Sequence, residues 1–247
     1  MTGGVPVRKW YPDAASAVAA VKSGDTVLVG GFGIAGVPYS LLAALSVTGV
    51  TGLTIVSNNA GTGDLGISAL FARHCVRKII CSFPVSQESY EFRKEYRRGE
   101  VEVEVVPQGT LVERLRAAGS GLGGILTATG LDTELAAGKP EITVQGRRYL
   151  LETALRADVA LIKANRVDKW GNATYRGTAR NFNPVMATAA DLVIAEANVL
   201  DSEPIDPDHV VTPGVYIDRV VQSESAAPLS VLAKGTVAVT AADSRTH

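Results

Sequence analysis

The segment from residue 26 to residue 38, TVLVGGFGIAGVP, restricts the possible folds of this chain more than any other part of the sequence. Its first four residues, Thr26–Val29, are apolar or β-branched and predict a short buried strand. A glycine loop follows at 30–36, and Pro38 stands where a helix can begin. Strand, glycine turn and helix in this order are typical of a parallel α/β sheet, and the N–H groups at the helix start are expected to be free to hold an anion.

The glycine loop matches the dinucleotide-binding pattern G-x-G-x-x-G through Gly31, Gly33 and Gly36. That pattern also requires an acidic residue at the end of the next strand, where it accepts a hydrogen bond from a ribose hydroxyl. The next strand of this chain is followed by Asn58 and Asn59 instead. We therefore favour a ligand that carries another phosphate or a thioester. A tight turn that needs glycine only for its geometry stays open as the alternative.

The rest of the chain alternates predicted strands with predicted helices. This alternation predicts an α/β fold with an open, mostly parallel sheet covered by helices, in one domain over residues 1–222. Residues 223–247 are expected to form a poorly ordered tail. Ligands bind at the carboxyl ends of the strands in such sheets. The glycine loop, the Asn58–Asn59 pair and Gln108, each of which follows a strand, are therefore expected to meet at one site.

Two of these polar segments have an alternative interpretation. Gln108 lies between a strand and a helix start, where it can hold a developing negative charge, or it can be an ordinary turn residue. Arg180 with Asn181 and Asn183 can bind a carboxylate or a phosphate, or the two asparagines can tie the loop down by hydrogen bonds.

Several local patterns make more detailed predictions. Asp64 is placed to cap a helix that runs to His74, and the sequence TLVE starting at Thr110 matches a capping box. The glycine-rich segment 120–130 predicts a mobile loop, and Gln145 followed by glycine predicts a hairpin. The alternating run 100–106 predicts a strand with one solvated acidic face.

Composition and charge exclude several classes of function. The formal net charge of −1 over 247 residues gives no electrostatic reason to expect nucleic acid or an anionic membrane as a partner. The two cysteines, Cys75 and Cys81, cannot form a disulfide framework and fit a reducing, cytoplasmic compartment. The three histidines lack metal-ligand spacing, so no metal site is predicted. No signal peptide and no membrane-spanning run is predicted either.

The predicted site lacks a nucleophile. The loops offer amides, glycine backbone and an arginine, but no serine or cysteine in an elbow sequence and no Walker lysine. Such a set suits binding and oxyanion stabilisation. We therefore interpret it as half of a site that a second chain could complete.

Four segments together carry a resemblance to a known family. They are VGGFGIAGVP, SNNAG, VPQGTLVER and TARNFNPVMA, in this order along the chain. Over roughly residues 11–221 the chain resembles the A (alpha) subunits of the class I CoA-transferases that act on 3-oxoacids. Within that family, segment 76–84 and Ser89-Tyr90 resemble the members that act on 3-oxoadipate. Members that act on acetoacetate more often carry a shorter loop there.

The resemblance implies a mechanism and a partner. A glutamate on a B (beta) subunit first attacks succinyl-CoA, an enzyme thioester of CoA forms, and the 3-oxoacid then takes the CoA by the reverse steps. This chain alone is then inactive and holds no permanently bound cofactor, since the CoA thioester is a substrate. The residues expected to line the reacting groups are Gln108, Asn58 and Asn59. Those expected to contact CoA or substrate are Gly30, Gly31, Phe32, Gly33, Ile34, Ala35, Gly36, Gly109, Arg180 and Asn181.

Functions of other classes stay open at this point. A sugar-phosphate isomerase or sensor can use the same sheet, but it needs an acid–base residue that the three loops do not offer. A nucleotide-binding regulatory domain disagrees with the asparagines after the second strand. A non-catalytic structural partner of another enzyme is the third alternative.

Overall fold

The computed structural model describes residues 9–224, and these form two sheets with helices around the larger one. The strands are β1 (Thr26–Val29), β2 (Leu53–Asn59), β3 (Val76–Phe83), β4 (Glu102–Val105), β5 (Gly124–Thr127), β6 (Glu141–Val144), β7 (Arg147–Thr153), β8 (Ala157–Asp168), β9 (Ala173–Thr174), β10 (Ala190–Asp201) and β11 (Arg219–Gln222). The α-helices are α1 (Ala14–Val18), α2 (Tyr39–Ser46), α3 (Ile67–Ala72), α4 (Tyr90–Arg97), α5 (Gln108–Gly119) and α6 (Asn183–Ala187).

The larger sheet has the strand order β11-β10-β8-β1-β2-β3-β4, with the short β9 paired to β8. All neighbours along this order are parallel, and only the β8–β9 pair is antiparallel. The chain proceeds from β1 outward in one direction through β4, and later from β8 outward in the other direction. The strand order therefore switches between β1 and β8, which is where ligands bind in open sheets of this kind. The predicted fold class is confirmed.

Alternate residues of the central strands belong to two separate cores. Val27 and Val29 join the core beneath α1, α2, α3 and α4, whereas Leu28 joins the core beneath α5 and α6. Leu45 is fully buried in the first core and Leu115 in the second. This two-sided burial explains why the central strands are continuous apolar runs in the sequence rather than alternating ones.

The smaller sheet is antiparallel and has the order β5-β7-β6. The predicted hairpin is confirmed, since β6 and β7 are joined at Gln145 and Gly146, which have φ angles of +50° and +75°. Segment 120–130 is not wholly a loop as predicted, because β5 pairs with β7 within it. The strand that pairs with β5 lies far away in the sequence, since Gly124 pairs with Thr153. Such a distant partner leaves no local signal, so the glycines alone suggested a loop.

Two predicted helix starts are wrong. Helix α3 begins at Ile67 after Gly66, which has a φ of +64°, so Asp64 does not cap it. Helix α5 begins at Gln108 after Pro107, so Thr110 lies inside the first turn and not at the N-cap. Proline fixes the backbone at the helix entry, and this advances the start relative to the capping-box pattern.

The acidic run before α5 is a paired strand face. Lys78 of the neighbouring strand contacts Glu102 at 2.8 Å and Glu104 at 2.9 Å. Arg114 of α5 contacts Glu104 at 3.1 Å. Hydrogen bonds and charge from Lys78 and Arg114 outweigh burial and lower the pKa of Glu104 below its ordinary value.

The predictions about membrane spans, metal sites, the domain boundary and the tail can be compared with the structure only over residues 9–224. None of the described helices has the length and apolarity needed to cross a bilayer. Residues 9–224 contain no group of three or more potential ligands that could hold a metal ion. The single-domain boundary stays a prediction, and most of the predicted tail, 225–247, lies outside the described residues.

Candidate active site

An amide cluster joins the carboxyl ends of three neighbouring strands. Asn58 belongs to the end of β2, not to a loop after it, and is buried with 5% exposure. Its Nδ2 donates to Gln108 Oε1 at 3.1 Å and to Ser82 Oγ at 3.1 Å. Asn59 Nδ2 donates to Asn58 Oδ1 at 3.4 Å. The predicted convergence of the Asn pair and Gln108 is therefore present in the structure.

The amino terminus of helix α5 lies next to this cluster and has no side-chain cap. Gln108 is its first residue and Gly109 its second. Both residues are exposed and line a cavity of about 330 Å³ between α5 and β5. An uncapped helix start with backbone N–H groups and a side-chain amide is suited to a negative charge.

A second cavity, of about 570 Å³, lies on the other side of Gln108. Phe32, at the tip of the glycine loop, and Arg180 both line it. The residues around it are Phe32, Gln108, Val112, Arg116, Gly119, Ser120, Arg180, Asn181, Phe182, Pro184, Val185, Thr188 and Tyr216. Among the described residues, this lining contains no carboxylate, thiol, imidazole or amine. The cavity can bind and orient a ligand but does not supply an acyl-transfer nucleophile with its base.

The glycine loop is held in place by the two asparagines of the TARNFNP segment. Asn181 Oδ1 accepts from Gly31 N at 3.1 Å, and its Nδ2 donates to Ala35 O at 3.0 Å. Asn183, which is fully buried, donates to Gly36 O at 3.0 Å and accepts from Lys163 N at 2.8 Å. Both asparagines therefore tie the loop down, the second of the two interpretations of this segment.

Most glycines of the loop are required by packing. A Cβ at Gly30 would lie 1.8 Å from Asn183 Oδ1, and one at Gly36 would lie 2.5 Å from Ala179 O. Only Gly33 has open space, and its φ of +60° is the reason for glycine there. Phe32 and Ala35 exchange two backbone hydrogen bonds across it, at 3.0 and 3.1 Å. The loop is thus a closed turn whose exposed tip is Phe32 and Gly33.

The expectation that the start of helix α2 is free to bind an anion is wrong. Glu196 of β10 is buried with 1% exposure and accepts from Ser40 N at 2.8 Å and Leu41 N at 3.2 Å. Its other oxygen accepts from Lys163 Nζ at 2.8 Å and from Ser223 Oγ at 2.7 Å. A carboxylate already occupies the positive end of this helix, and it would repel a phosphate.

The remaining predicted residues are divided between two other cavities. Asn59, Gly31, Gly33 and Ile34 line a cleft of about 20 Å³, which has room for about one water molecule. Ile34 and Gly36 also border a groove of about 740 Å³, lined by Lys163 and Glu196. Asn58, Gly30 and Ala35 line none of these cavities and act as supports.

Three polar residues of this region were missed by sequence reasoning. Ser82 lies at the end of β3, and its Oγ also donates to Asn58 O at 3.1 Å. Lys163 lies within β8 and Glu196 within β10. A charged residue in an otherwise apolar buried strand was the available signal, since charges are rarely buried without a partner.

The two thiols take no part in the site. Cys75 is 1% exposed and Cys81 is fully buried. Burial raises the pKa of Cys81 to about 12 and also raises the pKa of Cys75. Both are free cysteines that pack as small apolar residues, as predicted.

The chain is similar to known proteins over most of its length. The pattern of the coenzyme A transferase family matches residues 11–223. The A subunit of 3-oxoadipate CoA-transferase from Pseudomonas putida is 50% identical over 226 residues, which cover 91% of this chain and 98% of that protein. The A subunit of succinyl-CoA:3-ketoacid coenzyme A transferase from Xanthomonas campestris pv. campestris is 50% identical over 215 residues, which cover 86% of this chain and 88% of that protein.

Solved structures show the same fold. Glutaconate coenzyme A-transferase from Acidaminococcus fermentans superposes with a TM-score of 0.76 at 24% identity, covering 87% of this chain and 75% of that chain. An acyl-CoA transferase of Escherichia coli superposes with a TM-score of 0.75 at 23% identity, covering 88% of this chain and 47% of that longer chain. With the family pattern matched over most of its length, and with near full-length relatives at 50% identity, the chain belongs to the coenzyme A transferase family.

Proposed function

We propose that this chain is the A subunit of a CoA-transferase that moves CoA from succinyl-CoA to 3-oxoadipate. The cavity of about 570 Å³ beside Gln108 carries the proposal, because its lining offers hydrogen-bond donors and two guanidinium groups but, among the described residues, no carboxylate or thiol to act as nucleophile and no imidazole to activate a hydroxyl. The relatives, which are named as A subunits, support a partner that supplies the missing group. That partner is a B subunit with a reactive glutamate.

The proposed reaction is a ping-pong exchange on the partner's glutamate. Its carboxylate attacks the thioester carbonyl of succinyl-CoA, and CoA thiolate leaves to give a mixed anhydride. The thiolate then attacks the glutamyl carbonyl, succinate leaves, and an enzyme thioester remains. 3-Oxoadipate attacks this thioester through one carboxylate, and the same two steps run in reverse.

Each of these steps passes through a tetrahedral oxyanion, and this chain stabilises it in the proposal. Gln108 Oε1 is occupied by Asn58, so Gln108 Nε2 is the end that remains as a donor. The N–H groups at the uncapped start of α5 add to the same field. A donor placed at an oxyanion is worth about 3 kcal/mol in the transition state.

Arg180 is the proposed anchor for the distal carboxylate. Succinyl and 3-oxoadipyl groups each keep one free carboxylate when the other is bound to CoA. Arg180 is exposed, and within residues 9–224 its guanidinium has no hydrogen bond or ion pair to a side chain. Arg116 borders the same cavity but contacts Glu113 at 3.2 Å. Arg180 is therefore the better candidate for a bidentate carboxylate contact.

The segment after β3 supports the choice of acceptor. Ser89 Oγ donates to Gly61 O at 2.8 Å, and Gly63 N donates to Glu88 O at 3.0 Å. This packing holds segment 84–89 against the loop that follows Asn59. Part of the segment that resembles 3-oxoadipate enzymes thus contacts the loop that follows the Asn58–Asn59 pair. Another 3-oxoacid such as acetoacetate is the second candidate acceptor, since the Xanthomonas relative is named for 3-ketoacids in general and is also 50% identical.

We propose that the enzyme holds no permanently bound cofactor, because CoA enters and leaves as substrate. A cytoplasmic location is supported by the free thiols of Cys75 and Cys81.

The test is CoA transfer from succinyl-CoA to 3-oxoadipate or acetoacetate, measured with this chain alone, with the B subunit by itself and with both together. Activity only in the mixture, with the higher kcat/KM for 3-oxoadipate, is the expected result. A preference for acetoacetate would contradict the acceptor, and activity of this chain alone would contradict the half-site.

A matched pair of arginine variants tests the anchor. Arg180→Ala is expected to raise KM for 3-oxoadipate by about tenfold or more, because the substrate carboxylate loses its charged partner. Arg176→Ala removes an equally exposed arginine that lines a different groove, and it is the control. Equal effects of the two variants would refute the anchor.

A further inference from the structure

The direction of the hydrogen bonds in the amide cluster depends on one hydroxyl group, that of Ser82. Ser82 Oγ donates its own hydrogen to Asn58 O at 3.1 Å. The same oxygen accepts from Asn58 Nδ2 at 3.1 Å. Because the hydroxyl hydrogen is committed to the backbone carbonyl, a lone pair of Oγ must face the side chain of Asn58.

This arrangement fixes which end of the Asn58 amide faces the site. Nδ2 has two hydrogens, and one goes to Ser82 while the other goes to Gln108 Oε1. Asn58 Oδ1 lies on the other side, where it accepts from Asn59 Nδ2. Asn58 is 5% exposed, so water has little access to exchange these partners.

Gln108 takes its orientation from Asn58 in turn. With Oε1 held by Asn58 Nδ2, the Nε2 group is left to face the cavities that Gln108 lines. Rotation of the amide by half a turn would present Oε1 to a developing oxyanion and repel it. We infer that Ser82 is a positioning residue that, through Asn58, keeps the donor end of Gln108 towards the reacting carbonyl.

The inference rests on the proposed function, and kinetics of this chain in complex with its B-subunit partner test it. Gln108→Ala is expected to lower kcat by about 100-fold. Ser82→Ala is expected to lower kcat by about tenfold with KM within about twofold of wild type, and Ser82→Thr, which keeps the hydroxyl, to restore it. Ser16→Ala, on helix α1 and outside the cluster, is the matched serine control.

A double-mutant cycle separates positioning from a general structural role. If Ser82 acts only through Gln108, Ser82→Ala causes no further loss of kcat in the Gln108→Ala background. Asn58→Asp is expected to lower kcat at least as much as Gln108→Ala does. The carboxylate at position 58 can only accept, so it binds Gln108 Nε2 and turns Gln108 Oε1 towards the cavities. Additive losses, or a Ser82→Ala enzyme with kcat within about twofold of wild type, would overturn the inference.

Hydrogen exchange of side-chain amides gives a readout that does not depend on activity. The Nδ2 hydrogens of Asn58 are expected to exchange slowly in the wild type and fast in Ser82→Ala. Asn198, whose side chain is exposed, gives the reference rate. Exchange of Asn58 as fast as that of Asn198 in the wild type would refute the inference. If no CoA transfer is seen at all, the proposed function fails, while this exchange still decides the role of Ser82.

Discussion

Replacement of Asn183 by alanine removes the support of the glycine loop, and its cost follows from the hydrogen bonds lost. Asn183 is fully buried, and its Nδ2 donates to Gly36 O at 3.0 Å and Ala179 O at 2.9 Å. Its Oδ1 accepts from Lys163 N at 2.8 Å. Asn183→Ala therefore leaves three backbone groups without their partner.

A buried backbone group without its partner costs about 1–3 kcal/mol. Gly36, Ala179 and Lys163 are only partly buried, so water can enter the vacated space and the lower value applies. Three groups at about 1 kcal/mol each predict a loss of about 3 kcal/mol in the free energy of unfolding. This is large for a single polar substitution, because most surface changes stay within about 0.5 kcal/mol.

Urea unfolding of the variant, followed by far-UV circular dichroism, measures this loss. At a typical denaturant slope, about 3 kcal/mol moves the midpoint by about 1 M or more. Asn198→Ala is the matched control, since Asn198 is exposed and its side chain has one contact of 3.5 Å, to Asn165. A loss below about 1 kcal/mol for Asn183→Ala, or equal losses for both variants, would refute the reasoning.

Asn183→Asp separates the donors of this side chain from its acceptor. The carboxylate still accepts from Lys163 N but turns oxygen towards Gly36 O and Ala179 O, without a hydrogen to donate. Burial raises the pKa of a carboxyl group placed here. The destabilisation is therefore expected to lessen as the pH falls, because the protonated acid regains one donor. A destabilisation that grows at low pH would contradict this account.

Three further predictions follow from burial and backbone geometry. Gly36→Ala is expected to lower the free energy of unfolding in urea by at least about 1–2 kcal/mol more than Gly33→Ala. Both glycines have a positive φ, but only at Gly36 would the added Cβ meet a backbone oxygen, at 2.5 Å. Equal losses for the two variants would contradict this expectation. Burial raises the pKa of Asp168, but hydrogen bonds from three backbone N–H groups and an amide side chain outweigh it, so that the pKa lies below 3.8. The ionised carboxylate stabilises the fold, so Asp168→Asn is expected to have a lower free energy of unfolding than the wild type above pH 3.8. This difference is expected to disappear as the pH falls through the folded pKa of Asp168. A difference in the free energy of unfolding that stays constant in acid would contradict this expectation. Cys75 and Cys81 are expected not to react with a thiol reagent in the native chain at pH 8, and both to react in denaturant, since burial raises both pKa values; rapid native labelling of either would show that it is accessible.

Local patterns predicted the regular elements well where one signal dominated. The strand at 26–29 was predicted with its observed bounds, because a short apolar run between turn residues has few alternatives. The next strand extends through Asn58 and Asn59, which were expected to follow it. The helix starts at Gln108 and Ile67 were misjudged because capping residues compete with proline and glycine for the same turn. The strand at Gly124–Thr127 was missed because its partner, not its composition, makes it a strand.

The sequence by itself determined the α/β fold, the family and the absence of a nucleophile from the three loops, since these follow from periodicity, turn residues and motifs that are local in the chain. Only the tertiary structure decided which helix start is open. Glu196, 156 positions after Ser40, caps α2, and α5 remains uncapped. The tertiary structure also brought Ser82 to Asn58. Such contacts depend on the order and register of parallel strands, and a hydrogen bond between residues far apart in sequence leaves no trace in either local pattern.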